Sequence, residues 1–226
     1  GPTAFTTVDK ALAPDSNYGV QLRMSRKALK QSGAGLEAAM RRDLTNAMQV
    51  GLDKAVFLGS GTSGEPLGII PGQATYGITS TNAGAAASYS LFRAAAIRFM
   101  LANAAASPAD VRLLLRPEAW GDLDGTIFDT GSGITEWDRL SRAMPNTVTT
   151  SNALDAPAGS PLASTAVMTT TAGGLPPAFM AIWGGVDLIR DVYTDAQSGG
   201  LRLTGIVTAD VTVPRGSQVE IITGIE

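Results

Sequence analysis

The chain has 226 residues, of which 44% are hydrophobic and 16% are charged, and its formal net charge at pH 7 is −3. It contains no cysteine and no histidine, which excludes a disulfide framework, a thiolate nucleophile, and the commonest general base and transition-metal ligand. The hydrophobic fraction is ample for a sizeable core. The slight negative net charge favours neither nucleic acid nor an anionic membrane as a tight partner. No apolar run reaches the ~20 residues that a membrane span needs.

The first quarter of the chain is predicted to hold strands followed by helices. Residues 3–13 alternate weakly and are interpreted as an edge strand or an ordered arm, and residues 18–24 alternate clearly enough to predict a strand. Residues 25–31 predict a short helix and residues 36–58 a long one, with Gly59 placed where a C′ glycine would end it. The long helix, about 35 Å in length at ~1.5 Å per residue, carries one apolar row: Leu36, Met40, Leu44, Met48, Leu52 and Val56.

The middle of the chain is predicted to mix loops and short helices. Residues 59–72 read as a glycine-rich loop and residues 73–88 as a loop of small residues, where the composition shift suggests a domain boundary. Ser88 or Ser90 can cap a helix over residues 91–105. Shorter elements follow: a buried strand over 111–115, a helix with Pro117 at its first position, and a helix with one face formed by Ile134, Trp137 and Leu140.

The last third of the chain is predicted to be mainly strands. Residues 146–174 suggest strands separated by loops, and residues 179–183, 188–193 and 218–225 each predict a strand. Residues 201–213 alternate without interruption and would span about 40 Å at ~3.3 Å per residue, twice the usual strand length. Because helices and strands mix without strict alternation, the predicted fold class is α+β. A matched long helix and long strand favour an elongated slab that tiles against its own copies.

Two short motifs invite an enzymatic interpretation. Residues 59–64 match G-x-G-x-x-G, but a dinucleotide site needs a strand before the motif and a helix after it, and here a long helix precedes it. The DLDGT motif at residues 122–126 resembles the first motif of haloacid-dehalogenase-type phosphatases, where two aspartates hold magnesium, and Asp187 and Asp191 could supply the later acidic motif. Against this alternative, the preceding segment predicts a helix rather than a buried strand, and every lysine lies upstream.

Basic residues concentrate in one part of the chain. A solvated helix face is the default interpretation, a subunit-contact patch that meets acidic residues of a neighbour is the second, and phosphate binding is the third because no aromatic residues interleave with it. The candidate inter-subunit contact patch consists of Arg23, Arg26, Lys27, Lys30, Arg41 and Arg42. No catalytic, cofactor-binding or metal-binding residue is predicted.

The order of segments resembles one known family over nearly all of residues 18–226. The stretch MSRKALKQS precedes the long helix, GTSGEPLGII follows it, DVRLLLRPEAWGDL comes next, and the chain closes with AIWGGVDLIRDVYTDAQSGGLRLTGIVTADVTVPRGSQVEIITGI. Their joint order and spacing resemble the major capsid proteins of tailed bacteriophages with the Hong Kong 97-type fold.

The resemblance implies a peripheral subdomain at residues 1–72 and 185–213, with a spine helix at 36–58, and an axial subdomain at 73–184 and 214–226. It implies a structural head protein rather than an enzyme, forming hexamers and pentamers of an icosahedral phage or prophage shell around DNA. The implied location is the virion, after assembly in the bacterial host cytoplasm. The implied partners are the chain itself, then scaffold, portal and maturation protease, and DNA by non-specific proximity, with no membrane and no cofactor. A cellular nanocompartment shell or a decoration protein is the related alternative.

Two departures from that family are visible. The family carries an N-terminal arm and a long extended loop before the segment that matches Tyr18, so we expect a fragment that lacks the arm and most of the loop and stays a monomer or small oligomer. The prototype's covalent lysine–asparagine crosslink has no counterpart, because residues 191–200 contain no asparagine. No catalytic residue is therefore carried over from the family.

Overall fold

The computed structural model describes residues 11–32, 34–129, 131, 133–171 and 174–226. Most of the predicted strand over residues 3–13 lies outside the described residues, and residues 11–13 form no strand. In chain order the elements are β1 (Asn17–Ser25), α1 (Arg26–Ser32), α2 (Ala34–Leu58), α3 (Gln73–Tyr76), β2 (Thr79–Ala85), α4 (Tyr89–Leu101), β3 (Val111–Leu115), α5 (Pro117–Gly125), α6 (Glu136–Ala143), β4 (Asn146–Thr149), β5 (Ser164–Thr170), β6 (Phe179–Asp191), β7 (Gly200–Thr212) and β8 (Val219–Ile225). This mixture of helices and two sheets confirms the α+β class.

The chain folds into two compact units. Unit 1 contains Ile69–Phe179 and Thr212–Glu226, and unit 2 contains Leu12–Gly68 and Met180–Val211. Each unit therefore combines segments that are distant in sequence. Each also has its own sheet and its own cluster of buried apolar side chains.

Unit 2 is a three-stranded sheet covered by the long helix α2. The strand order is β1-β7-β6, and β1 runs antiparallel to β7 from the pair Asn17↔Thr208 to the pair Ser25↔Gly200. Alternate side chains of β7 are buried, as the sequence predicted, and they pack with the buried α2 residues Leu44 and Met48. The predicted long helix and long strand are thus confirmed, and together they form the core of unit 2.

Close packing in unit 2 depends on glycine at one position of α2. A Cβ atom added to Gly51 would lie 2.0 Å from Tyr18 Oη and 2.2 Å from its Cζ. The Tyr18 ring therefore lies directly on the helix backbone at Gly51. Glycine is otherwise unfavourable in a helix interior, so this contact explains a residue that helix propensity disfavours.

Unit 1 is a five-stranded mixed sheet with helices packed on it. The strand order is β2-β8-β5-β3-β4; β2 is parallel to β8 and β3 is parallel to β4, whereas β5 runs antiparallel to both β3 and β8. Helix α6 packs against both α4 and α5. Ser88 caps α4 by accepting a hydrogen bond from the backbone N–H of Leu91, as the sequence predicted. The largest buried side chains of this core are Phe92, Leu113, Leu115, Leu123, Leu140, Met144 and Met168.

Two buried charged groups tie unit 1 together. Arg116 donates to both carboxylate oxygens of Glu118 at 2.9 and 2.7 Å and to the carbonyls of Ser151 and Leu154 at 3.0 and 2.7 Å. The hydrogen bond from Arg116 is the main reason that the pKa of Glu118 is lowered. Arg116 thereby fastens the loop after β4 to the start of α5.

The second buried charge is Glu220 on β8, whose side chain is 2% exposed. It accepts hydrogen bonds from Arg98 Nε at 3.2 Å and from Thr81 Oγ1 at 2.9 Å, and it also pairs with Arg98 Nη2. Helix α4 and strand β2 are therefore both joined to the interior strand β8 through one carboxylate.

Two local predictions were wrong, each for a physical reason. Residues 73–88 were predicted to be a loop, yet they contain α3 and β2, because β2 is built from small polar residues that carry no apolar alternation and is held by parallel pairing with β8. The two predicted strands at 179–183 and 188–193 are one strand, since Gly184, at φ 73°, interrupts the alternation but not the strand. Helix α2 ends at Leu58, immediately before Gly59, as predicted. Gly59 is not in the left-handed conformation; its Cβ would lie 2.2 Å from the Pro66 carbonyl oxygen, so close approach explains the glycine.

Candidate assembly surfaces

Two arginines of the candidate basic patch contact the turn between β6 and β7. Arg23 pairs with Asp195 at 2.9 Å and donates to Ser198 Oγ at 3.0 Å. Arg26 donates to the carbonyl of Val192 at 2.9 Å. These two side chains therefore hold their own subunit's turn in place.

The turn between β6 and β7 has further internal bonds. Asp195 also receives a hydrogen bond from Arg202 at 2.8 Å, and this arginine is the main cause that lowers the pKa of Asp195. Asp191 accepts from the backbone N–H groups of Tyr193 and Thr194 at 2.8 and 3.1 Å, and its pKa is lowered first by the Thr194 hydroxyl. An ordered turn results, with the Tyr193 side chain 85% exposed on it.

The other four basic residues of the candidate patch differ in how they are paired. Arg41 pairs with Glu37 at 2.7 Å, one helical turn away, and Arg42 lies 3.9 Å from Asp43 on an exposed part of α2. Lys27 and Lys30 are exposed on α1, and neither forms an ion pair with any residue that the structure describes. Arg26 also has no carboxylate partner, but it donates to Val192, so Lys27 and Lys30 are the members of the patch with neither an ion pair nor a side-chain hydrogen bond among the described residues.

The aspartates of the DLDGT motif lie where a phosphatase nucleophile could not work. Asp122 and Asp124 are exposed in the last turn of helix α5, whereas the nucleophile of a haloacid-dehalogenase-type enzyme sits at the end of a buried strand. Asp187 and Asp191 belong to unit 2, whereas Asp122 and Asp124 belong to unit 1. Among the described residues, no group of three or more acidic side chains is arranged to hold a metal ion.

The glycine-rich motif at residues 59–64 forms a closed turn after α2. Ser60 is bridged to Leu67, and the Glu65 carboxylate accepts hydrogen bonds from the backbone N–H of Ser60 at 3.2 Å and from its hydroxyl at 2.8 Å. The Ser60 hydroxyl is the main cause that lowers the pKa of Glu65. A carboxylate thus occupies the donors that a phosphate loop would offer to its ligand.

An exposed aromatic surface on unit 1 was not anticipated from the sequence. We call Trp120, Ile127 and Phe128 the aromatic surface; their exposed fractions are 38%, 56% and 53%. Trp120 meets Trp137 edge to face at 6.2 Å between ring centroids, and the Arg139 guanidinium lies 3.5 Å from the Phe128 ring centroid. The sequence does contain a sign of this surface: Ile127 and Phe128 are two adjacent large apolar residues in a short polar turn, where a hydrophobic core is not expected.

A second exposed apolar region lies on β6, which forms one edge of the unit 2 sheet. Ile182, Val186 and Ile189 are each about half exposed along this strand. Long apolar edge strands normally pair with or are covered by another chain.

No helix in the described part of the chain is long and apolar enough to cross a bilayer.

Comparison with known proteins places this geometry in a family. Residues 2–223 match the phage capsid family, and no curated protein matches the chain in sequence. The fold is similar to the capsid of a native GTA particle (11% identity, 93% of this chain and 73% of that chain, TM-score 0.64) and to the capsid of Myoviridae phage XM1 (15%, 92% and 73%, 0.64). It is also similar to a satellite phage P4 procapsid that includes a size determination (Sid) protein (9%, 100% and 77%, 0.61).

These structural neighbours share the two-sheet α+β fold at low identity, and the family match spans almost every residue. The exposed apolar and charged surfaces are what a subunit of a larger assembly needs. The sequence resemblance to tailed-phage capsid proteins is thereby confirmed, and the chain belongs to the phage capsid family.

Proposed function

We propose that this major capsid protein, which forms an icosahedral shell, assembles through hexamers and pentamers that enclose the DNA of a phage or prophage. The observation that carries the proposal is the match to the phage capsid family over residues 2–223. Closed shells of one chain need surfaces that meet different surfaces on the next copy. The described chain offers several exposed apolar and charged surfaces of that kind.

We assign the peripheral role to unit 2 and the axial role to unit 1. The assignment is supported by the 25-residue helix α2 and the 13-residue strand β7, both in unit 2, because long elements suit the part of a subunit that spans the shell between symmetry axes. Unit 1 has a larger sheet and more helices on it, which suits packing around an axis. The division falls near residues 68 and 180.

We propose that the chain is a structural protein without catalytic activity or cofactor. Its carboxylates with lowered pKa values are each explained by hydrogen bonds from neighbouring groups, as with Arg41 on Glu37 and Arg116 on Glu118. The aspartates of the DLDGT motif are exposed at a helix end. Neither arrangement resembles a poised acid–base pair.

Further partners are proposed from the family alone. They are a scaffold, a portal and a maturation protease, with DNA contacted by proximity rather than by sequence, and with assembly in the host cytoplasm. The net charge of −3 agrees with weak contact between shell and DNA. No membrane partner is proposed.

Assembly of the purified chain tests the proposal. Size-exclusion chromatography with light scattering is expected to show the purified chain as a monomer or small oligomer, and spontaneous shells would contradict that expectation. Electron microscopy of particles made in infected or induced cells is expected to show closed shells that hold nuclease-resistant DNA. Particles that hold a protein cargo instead of DNA would indicate a cellular nanocompartment. The absence of closed particles from such cells, together with Mg²⁺-dependent aryl phosphate hydrolysis that Asp122→Asn abolishes, would refute the structural role.

A further inference from the structure

The aromatic surface of unit 1 carries negative charge without a partner. Asp124 lies one helical turn after Trp120 and therefore on the same side of α5. Asp122 and Asp124 are exposed in the last turn of this helix, where the negative end of the helix dipole disfavours carboxylates. Neither aspartate forms an ion pair within the part of the chain that the structure describes. Beside the aromatic surface, the end of α5 thus carries two carboxylates that have no ion-pair partner among the described residues, while the Arg139 guanidinium lies against Phe128.

Phe128 of the aromatic surface is held in place by neighbouring side chains. Arg139 is stacked between Phe128, at 3.5 Å, and Tyr89, at 4.6 Å. The backbone N–H of Tyr89 donates to Glu136 at 2.8 Å, and the Thr135 side chain caps the same helix, α6. Exposed aromatic side chains that are already ordered lose little conformational entropy on binding. Such side chains and arginine dominate the energetics of protein interfaces.

The complementary chemistry occurs on α1 of unit 2. Lys27 and Lys30 are exposed and lack carboxylate partners among the described residues, whereas Arg23 and Arg41 of the same basic patch are paired internally. A lysine side chain has an apolar stem that covers aromatic surface and an ammonium group that pairs with carboxylates or ring faces. Helix α1 therefore offers unpaired ammonium groups that can pair with the carboxylates of Asp122 and Asp124.

We infer that the aromatic surface and Asp122 and Asp124 of one subunit bind α1, through Lys27 and Lys30, of a second copy of this chain. The two contact regions are different surfaces, one on unit 1 and one on unit 2, so the contact is heterologous and passes from copy to copy. A contact of this kind closes into a ring when the rotation between successive copies adds up to a full turn. The inference rests on the proposed function and adds which residues join neighbouring subunits.

Disulfide trapping is a clean test because the chain has no cysteine of its own. The double variant Lys27→Cys/Asp124→Cys is expected to form a ladder of covalent oligomers on mild oxidation, whereas either single variant can form no more than a dimer. The matched control is Lys54→Cys/Asp155→Cys, which replaces another exposed lysine and aspartate. A ladder that equals that of the control pair would overturn the inference.

Charge exchange gives a second measurement. Lys27→Glu/Lys30→Glu and Asp122→Lys/Asp124→Lys are each expected to raise the subunit concentration needed for assembly by about tenfold, the effect of two surface ion pairs. The variant that carries all four changes is expected to assemble like the unmodified chain. If the unmodified chain assembles and the charge variants assemble equally well, this contact is wrong while the proposed function stands. If no closed particles form in infected or induced cells, the proposed function fails, and the contact, which rests on it, fails with it.

Discussion

The contact between Tyr18 and Gly51 permits a prediction whose sign is opposite to the usual one. Replacement of an interior helical glycine by alanine normally stabilises a protein by about 0.5–1 kcal/mol. At Gly51 the new methyl group would lie 2.0 Å from Tyr18 Oη and 2.4 Å from its Cε1, so the ring has to leave its position. Gly51→Ala is therefore expected to destabilise unit 2.

The magnitude follows from two opposing terms. Overpacking of this kind costs about 1–3 kcal/mol, and the helix propensity of alanine returns about 1 kcal/mol, so we expect a net loss of roughly 1–2 kcal/mol in the unfolding free energy. In a Tyr18→Ala background the clash is absent. There the same Gly51→Ala change is expected to stabilise by up to about 1 kcal/mol.

Chemical denaturation of the unassembled subunit measures these differences. Trp183 lies in unit 2 and the other two tryptophans, Trp120 and Trp137, lie in unit 1, so Trp183 fluorescence in a Trp120→Phe/Trp137→Phe background reports on unit 2 alone. Gly35→Ala is the matched control, because it is in the same helix and its Cβ would meet no atom within 4 Å. If Gly51→Ala stabilises unit 2 as Gly35→Ala does, the Tyr18 ring does not rest on the helix and the reasoning is refuted.

Three further predictions concern charged side chains. Arg116→Lys is expected to lower the unfolding free energy of unit 1 by about 2 kcal/mol, because lysine cannot keep both the bidentate carboxylate pair and the two loop carbonyls. The loop after β4 should then be cut faster in limited proteolysis, and an unchanged rate of cutting would contradict this prediction. Arg98→Ala is expected to cost about 2 kcal/mol in the same denaturation, since it leaves the buried Glu220 carboxylate without its arginine, and Glu220→Gln should recover part of that loss. The pKa of Asp195 is lowered chiefly by Arg202, so its contribution to stability is full above about pH 4 and is lost as the pH falls through the lowered folded value. Thermal melting of wild type between about pH 6 and pH 2 should show this decline, and Asp195→Asn should show less of it; equal declines would argue against the pairing.

The elements that the sequence predicted well are those whose burial follows a simple period. Helix α2 and strand β7 each bury one regular set of apolar side chains against the other, so their periods of 3.6 and 2 are visible in the residues themselves. Strand β2 shows no such periodic pattern of apolar residues. This strand is specified by hydrogen bonds with β8, which lies about 140 residues away in the chain. The residues of β2 alone contain no pattern that predicts pairing with so distant a strand.

The candidate site was only partly accessible from the sequence for a related reason. The basic patch was identified as a set of residues, but which arginines are consumed by internal pairs depends on the turn that places Asp195 beside Arg23. Likewise, the sequence alone places Phe128 in a turn, and only the structure shows the Arg139 guanidinium stacked on its ring. Composition and spacing identify the charges and rings, whereas the fold decides which of them remain unpaired.

The position of β8 bears on when the subunit becomes competent to assemble. This strand lies between β2 and β5, and it follows both of them in the chain. A ribosome must therefore deliver residues up to 225 before the unit 1 sheet is continuous. Nascent chains on the same message, held close together at high local concentration, would still lack a finished unit 1, and this delay guards against premature joining of half-made subunits during translation.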